Sequence, residues 1–124
     1  MDYTLFVTKA ITQDERNKFE SYDSRFDIIP DEIKLFYLKC NPIDVELNHN
    51  GVGVRLHPVS YLHELQKEYS YINAQFVFAT CNGDPIFINN GCIYTCAHGT
   101  TEPQHEKIAE SFIEYLKSLV DLMS

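Results

Sequence analysis

The sequence predicts an α+β fold: a single domain over residues 1–124, with a mainly antiparallel sheet, helices packed against it and a C-terminal helix closing the core. Three observations predict it. Asn50-Gly51 and Asn90-Gly91 each stand between short β-rich runs, the pattern of a two-residue hairpin turn. Helical spacing recurs elsewhere, most clearly in the stripe of Ile108, Ala109, Phe112, Ile113, Leu116, Leu119, Val120 and Met123. No repeat, low-complexity tract or Pro/Gly/Ser-rich linker divides the 124 residues, and a chain of this size buries about two-thirds of its unfolded surface in one core.

Each segment carries its own signal. In "ITQDERNKFESYDSRF", Thr12 and Glu15 have capping-box spacing, and Phe19, Tyr22 and Phe26 would line one side of a short helix. In "IIPDEIKLFYLKCNP", Pro30 suits a first helical position and Asp31 and Glu32 complement the positive helix N-terminus. Ile33, Phe36, Tyr37 and Cys40 form the apolar stripe of that helix, and Pro42 stops it. Residues 45–47 and 52–56 read as strands around Asn50-Gly51. "HPVSYLHELQKEY" returns to helical spacing through Val59, Leu62 and Leu65, and the β-branched and aromatic "YINAQFVFAT" reads as a strand.

The hydrophobic fraction of 44%, with eight Phe and eight Tyr, supplies a core that needs no disulfides. "MDYTLFVTKA" has an acid at Asp2 and no basic start before a long apolar run, so it does not read as a secretory signal. No stretch approaches the ~20 apolar residues of a membrane span. The expectation is a cytoplasmic protein that avoids membranes, with Cys40, Cys81, Cys92 and Cys96 reduced. Ten Lys and Arg against eighteen Asp and Glu give a net charge of -8, which repels phosphate backbones and attracts a basic protein. Solubility alone also accounts for such a charge.

The stretch "FVFATCNGDPIFINNGCIYTCAHG" holds three cysteines and a histidine. A turn at Asn90-Gly91 sets Asn89 opposite Cys92, Phe87 opposite Tyr94 and Pro85 opposite Cys96. Ile86, Ile88, Ile93, Thr95 and Ala97 then face one way, and Phe87, Cys92, Tyr94, Cys96 and His98 the other. Cys92 and Cys96 would be about 13 Å apart on an extended strand. Zinc thiolates lie within about 4 Å of each other, and a disulfide needs Cα atoms within about 7 Å. Cys96 and His98, with Cys81, leave a weak metal or thiol alternative, without zinc-knuckle spacing, a Gly-rich elbow or a phosphate loop around it. His63 and His105 lack the second histidine of a metalloprotease helix, and His49 adjoins a turn. No catalytic residue, metal ligand or cofactor is assigned.

Taken together, "IIPDEIKLFYLKCNP", "CNGDPIFINNGCIYTCAHG" and "KIAESFIEYLKSL" resemble the SUKH superfamily, whose best-known member is a yeast cell-wall-synthesis regulator. The resemblance spans roughly residues 12–119. It is carried by Ile29-Pro30 opening a helix, Gly83-Asp84 before a strand, Ile93-Tyr94 followed by His98, and Ser111-Phe112 in the closing helix. It implies a twisted sheet and a non-enzymatic immunity protein that neutralises a cognate toxin, often a nuclease, of a bacterial polymorphic toxin system. A regulatory or scaffolding interaction domain is the alternative, and a small metal- or thiol-dependent enzyme a third.

An acidic inhibitor is suited to cover the basic cleft of a nuclease. The expected partner surface is the sheet face with Phe87, Tyr94 and His98, flanked by Asp44, Glu46, Glu64, Glu68 and Asp84. The competing reading has helices covering that face, because aromatic and cysteine side chains are also core material.

Overall fold

The computed structural model describes residues 3–22, 28–49, 51–99 and 103–123. Helix α1 (Thr4–Gln13) buries Phe6 and Ala10, with Tyr3 buried just before it. The short strand β1 (Phe19–Glu20) pairs with β2 (Asn41–Pro42), which directly follows α2 (Asp31–Cys40). A six-stranded antiparallel meander then runs β3 (Val45–His49), β4 (Val52–Leu56), β5 (Phe76–Cys81), β6 (Asp84–Asn89), β7 (Cys92–Thr95) and β8 (Glu106–Ala109). Helix α3 (Val59–Glu68) and a single 3-10 turn, Ser70–Ile72, lie between β4 and β5, and α4 (Phe112–Leu122) ends the fold. The predicted α+β class is the observed one.

The sheet is covered on both faces. Val54 and Cys81 face α4, and their strand neighbours Arg55 and Thr80 face α3. A chain of edge-to-face aromatic contacts ties the first layer together. Phe36 of α2 meets Tyr3, Phe6 and Phe112, at centroid distances of 5.3, 5.9 and 5.3 Å, and Phe112 meets Phe78 of β5 at 5.4 Å.

The other layer is docked by one amide. The β4–β5 ladder ends at Leu56 and Ala79, because the chain turns away at Pro58 into α3. That leaves the Val77 N–H and C=O without a strand partner on the β4 side. Gln66 of α3 takes both, with Nε2 donating to the Val77 carbonyl at 2.7 Å and Oε1 accepting from its N–H at 2.8 Å. The register shift between Val77 and Ala79 falls at the same place.

The outer edge of β3 is closed similarly: Gln13 bonds both the N–H and the C=O of Asn48, and Asn17 accepts from the Glu46 N–H. Buried Asn41 accepts from the Val59 N–H, capping α3 from the end of α2.

Several sequence expectations need correction. The helix expected from Thr12 onward does not form: Thr12 and Gln13 end α1, and Phe19 lies in β1. The stripe Tyr3, Phe6, Ala10 governs instead, and a turn held by Asp14 and Arg16 reverses the chain. Phe26, Asp2 and the first turn residue Asn50 lie outside the described residues. Pro30 is the residue before α2, its carbonyl accepting from Ile33 and Lys34. Ile108 and Ala109 belong to β8, since the Ser111 hydroxyl accepts from the Glu114 N–H and starts α4 only at Phe112.

The Asn90-Gly91 hairpin has the expected partners Asn89 with Cys92 and Phe87 with Tyr94. The third, Pro85 with Cys96, is not part of the ladder: β7 ends at Thr95, whose hydroxyl donates to the Pro85 carbonyl. None of the four cysteines is in a disulfide.

Replacing Gln66 by Ala should destabilise the domain by about 2–3 kcal/mol, since a buried strand N–H and C=O both lose their partner. Gln66→Glu keeps the shape but loses the donor. It should be destabilised at neutral pH and recover as the pH falls and its carboxyl protonates, which denaturant melts across the pH range will check.

Candidate functional site

On the α3 face, strand alternation lays Arg55 and His57 side by side around buried Leu56. Register puts Arg55 between Glu46 of β3 and Thr80 of β5, and His57 Nε2 lies 2.9 Å from the Thr80 hydroxyl. Two turns of α3 separate Tyr61 from Glu68, which brings both over this strip. The Tyr61 ring stacks on His57, with centroids 5.4 Å apart and planes at 26°, and its hydroxyl donates to the Glu68 carboxylate. With Tyr69, these side chains line a cleft of about 480 Å³.

The β5–β6 turn closes one end of the site. Asn82 and Gly83 have φ of 52° and 89° there, the backbone that an Asn-Gly turn adopts. A Cβ at Gly83 would also lie 3.1 Å from the His98 ring, so conformation and space both require glycine. Tyr69 donates to the Gly83 carbonyl at 2.7 Å. Asp84 accepts from the His98 N–H at 3.0 Å and sits 2.6 Å from its Nδ1, and the Tyr71 hydroxyl accepts from the Gly99 N–H at 3.3 Å.

Hydrogen bonds tune these groups. The bond from His98 holds the Asp84 carboxyl below its usual range, and the bond to Glu68 raises the Tyr61 hydroxyl, which stays a donor. His57 is held neutral, chiefly by burial and then by Arg55 against the opposing pull of Glu68, its pKa lowered to about 4.

The structure brings together part of the expected surface. Glu68 lines the cleft and Asp44 reaches it by accepting from Arg55 at 3.2 Å, whereas Asp84, bonded to His98, lines the α4 side of the sheet. Glu64 is exposed on α3 with Lys67 at 3.7 Å. Exposed Glu46 shares a small groove at the sheet edge with Asp14, Arg16 and Asn17.

Phe87 is a correction. It is fully buried, its ring stacked on half-buried Tyr94 at 6.0 Å and met edge-on by His105 at 4.9 Å, and His105 Nε2 lies 2.9 Å from the Ile72 carbonyl. Phe87 is thus covered, and Tyr94 in part, with His105 of the β7–β8 connection over them where the competing reading expected helices. Sequence reasoning missed Arg55, His57, Tyr61 and Tyr69. The alternation Arg55-Leu56-His57 and the seven-residue spacing of Tyr61 and Glu68 were the available signals.

The thiols are tuned away from nucleophilic chemistry. Burial first and Asp84 second push the Cys81 and Cys96 thiols up, opposite to the activation of a reactive cysteine. Cys96 is buried, while exposed His98 turns its Nδ1 to Asp84. Among the described residues no three His, Cys, Asp or Glu side chains are grouped to hold a metal ion, and no helix is long and apolar enough to cross a membrane. No family model, curated protein or solved structure matches the chain.

His57 gives the site a pH signature. The unfolded chain binds a proton there that the folded chain refuses, so the fold keeps its full stability above the ordinary value of 6.5 and loses stability as pH falls toward about 4. His57→Gln should flatten that loss, measured as the difference between thermal midpoints at pH ~7 and pH ~4.5.

Proposed function

We propose that this chain is an immunity protein, which binds and neutralises a cognate basic toxin by covering the toxin's working surface with its α3 face. The observation that carries this reading is the set of tyrosine and carboxylate side chains at one cleft, already held by hydrogen bonds: Tyr61 to Glu68, Tyr69 to Gly83 and Arg55 to Asp44. Tyrosines are favoured interface anchors because they cover much area at little entropic cost, and side chains fixed before binding lose less freedom on contact.

The net charge of -8 adds long-range attraction for a basic partner and repulsion toward nucleic acid. The SUKH-like motifs support the same reading, since Gly83 of Gly83-Asp84 accepts at its carbonyl from Tyr69, which lines the cleft. Occlusion needs a complementary surface and no catalytic group. A nuclease, whose basic cleft holds phosphates, is the toxin class that fits best.

Co-expression with the product of the adjacent gene tests the proposal. Cells should survive the toxin only when this chain is present, and the purified complex should weaken as salt rises from about 0.05 to about 0.5 M. The double charge reversal Glu64→Lys with Glu68→Lys should slow association at least roughly tenfold, whereas Asp121→Lys on exposed α4 should leave it unchanged. Survival without this chain, or an association rate indifferent to the α3 reversals, would count decisively against it.

A further inference from the structure

The charges at the α3 cleft do not balance. On the sheet wall, Arg55 is answered by Asp44, which accepts from it at 3.2 Å, while Glu46, its partner across β3, belongs to the groove with Arg16. His57 adds no charge, since burial keeps it neutral. Glu68 on the helix wall is left over. Its Oε1 accepts from the Tyr61 hydroxyl, a neutral donor. Glu64, one turn earlier, pairs with Lys67, but among the described residues Glu68 has no cation beside it. The carboxylate is therefore held in place and lacks a counter-charge.

The lining around Glu68 suits a flat cation on an alkyl stem. Tyr61 and Tyr69 line the same cleft, and aromatic rings attract cations to their π faces. Both hydroxyls are committed, that of Tyr61 to Glu68 and that of Tyr69 to the Gly83 carbonyl, so the rings are fixed by bonds that a guest need not break. Ile43 and Pro58 add apolar surface for a stem. A guanidinium donates two parallel bonds to a carboxylate and lies flat on an aromatic ring, whereas an ammonium offers neither fork nor plane. The volume of about 480 Å³ falls within the ~300–1,000 Å³ of small-ligand pockets.

Building on the reading of this face as the toxin-binding surface, we propose that the cleft is a socket for one arginine side chain of the partner, its guanidinium paired with Glu68 and flanked by Tyr61 and Tyr69. The net charge of -8 draws a basic partner from a distance, and the socket fixes where one of its arginines goes. Arg55 repels such a guest, and its bond to Asp44 weakens that repulsion.

Three probes test the socket: N-acetylarginine amide, its neutral isostere N-acetylcitrulline amide, and inorganic phosphate, each titrated into the full chain at low salt with amide-detected NMR. The arginine probe should give saturable shifts at Tyr61, Glu68, Tyr69 and Thr80. It should bind at least roughly threefold more tightly than the citrulline probe, a preference that about 0.5 M salt removes. Glu68→Gln, an isosteric change at an exposed position, should level the two probes. Arg55→Gln, which removes the repelling cation, should tighten the arginine probe, and Asp121→Asn on α4 should leave it unchanged. The proposal is overturned if the arginine and citrulline probes bind alike, if the preference survives Glu68→Gln or is lost equally in Asp121→Asn, or if Arg55→Gln weakens the arginine probe. Larger shifts from phosphate at these residues would also overturn it, by making the cleft an anion site. No toxin enters these titrations, so they fail separately from the immunity reading. Cells protected on co-expression without any arginine preference would sink the socket alone, and an arginine preference without protection would sink the toxin as its partner.

Discussion

Side-chain amides complete the backbone hydrogen bonding of the sheet where strands stop. Gln66 stands in for a strand beside Val77, Gln13 does so beside Asn48, and Asn17 takes the Glu46 N–H. Each interrupts what would otherwise be an open row of strand donors and acceptors, the feature through which sheets pair with other chains. The Gln66 clamp carries the most consequence, because it is half-buried against the centre of the sheet and fixes where α3 lies. Without it, the β4–β5 crossover would have apolar contacts through Leu62 and Leu65 but nothing to set its position along β5.

From that placement the α3 face follows. Tyr61 can stack on His57, and its bond to Glu68 can lie over the cleft, only if α3 runs at this height over β4 and β5. Asn41, capping α3 from the end of α2, holds the other end of the same helix. The cleft is thus bounded by rigid elements, which suits recognition by a preformed surface. The α4 side is built differently. Aromatic packing through Phe36, Phe112 and Phe78 anchors the start of α4, while its later turns rest on smaller aliphatic side chains and leave space beneath. The two faces therefore offer different chemistry: polar and tyrosine-rich on one, mainly aliphatic on the other.

Electrostatics adds a second level of organisation. Most ion pairs are exposed and contribute little to stability, as with Glu64 and Lys67 or Lys107 and Glu110. The partly buried groups matter more: His57 kept neutral beside Arg55, and Asp84 held ionised by His98. His57 lies in the cleft, so a residue that shapes this surface also sets its response to pH.

The sequence by itself determined the class of fold, the hairpins at Gly51 and Gly91, helices α2 and α3, and the acidic balance of the chain. These rest on local rules, the period of apolar residues and the positive φ of Asn-Gly turns, which act within a few residues. It misled at the ends of elements. Thr12 and Glu15 imitate a capping box that the stripe of α1 overrides, and Ile108 and Ala109 continue a helical stripe while pairing with β7. Only the tertiary structure decided which faces were covered. Phe87 and Tyr94 share one face of their hairpin, but whether that face meets solvent depends on where His105 returns, a contact more than ten residues away in sequence from each. The cleft was hidden for the same reason: Arg55, His57, Tyr61 and Glu68 become one site through the Gln66 clamp, a long-range hydrogen bond with no periodic trace in the chain.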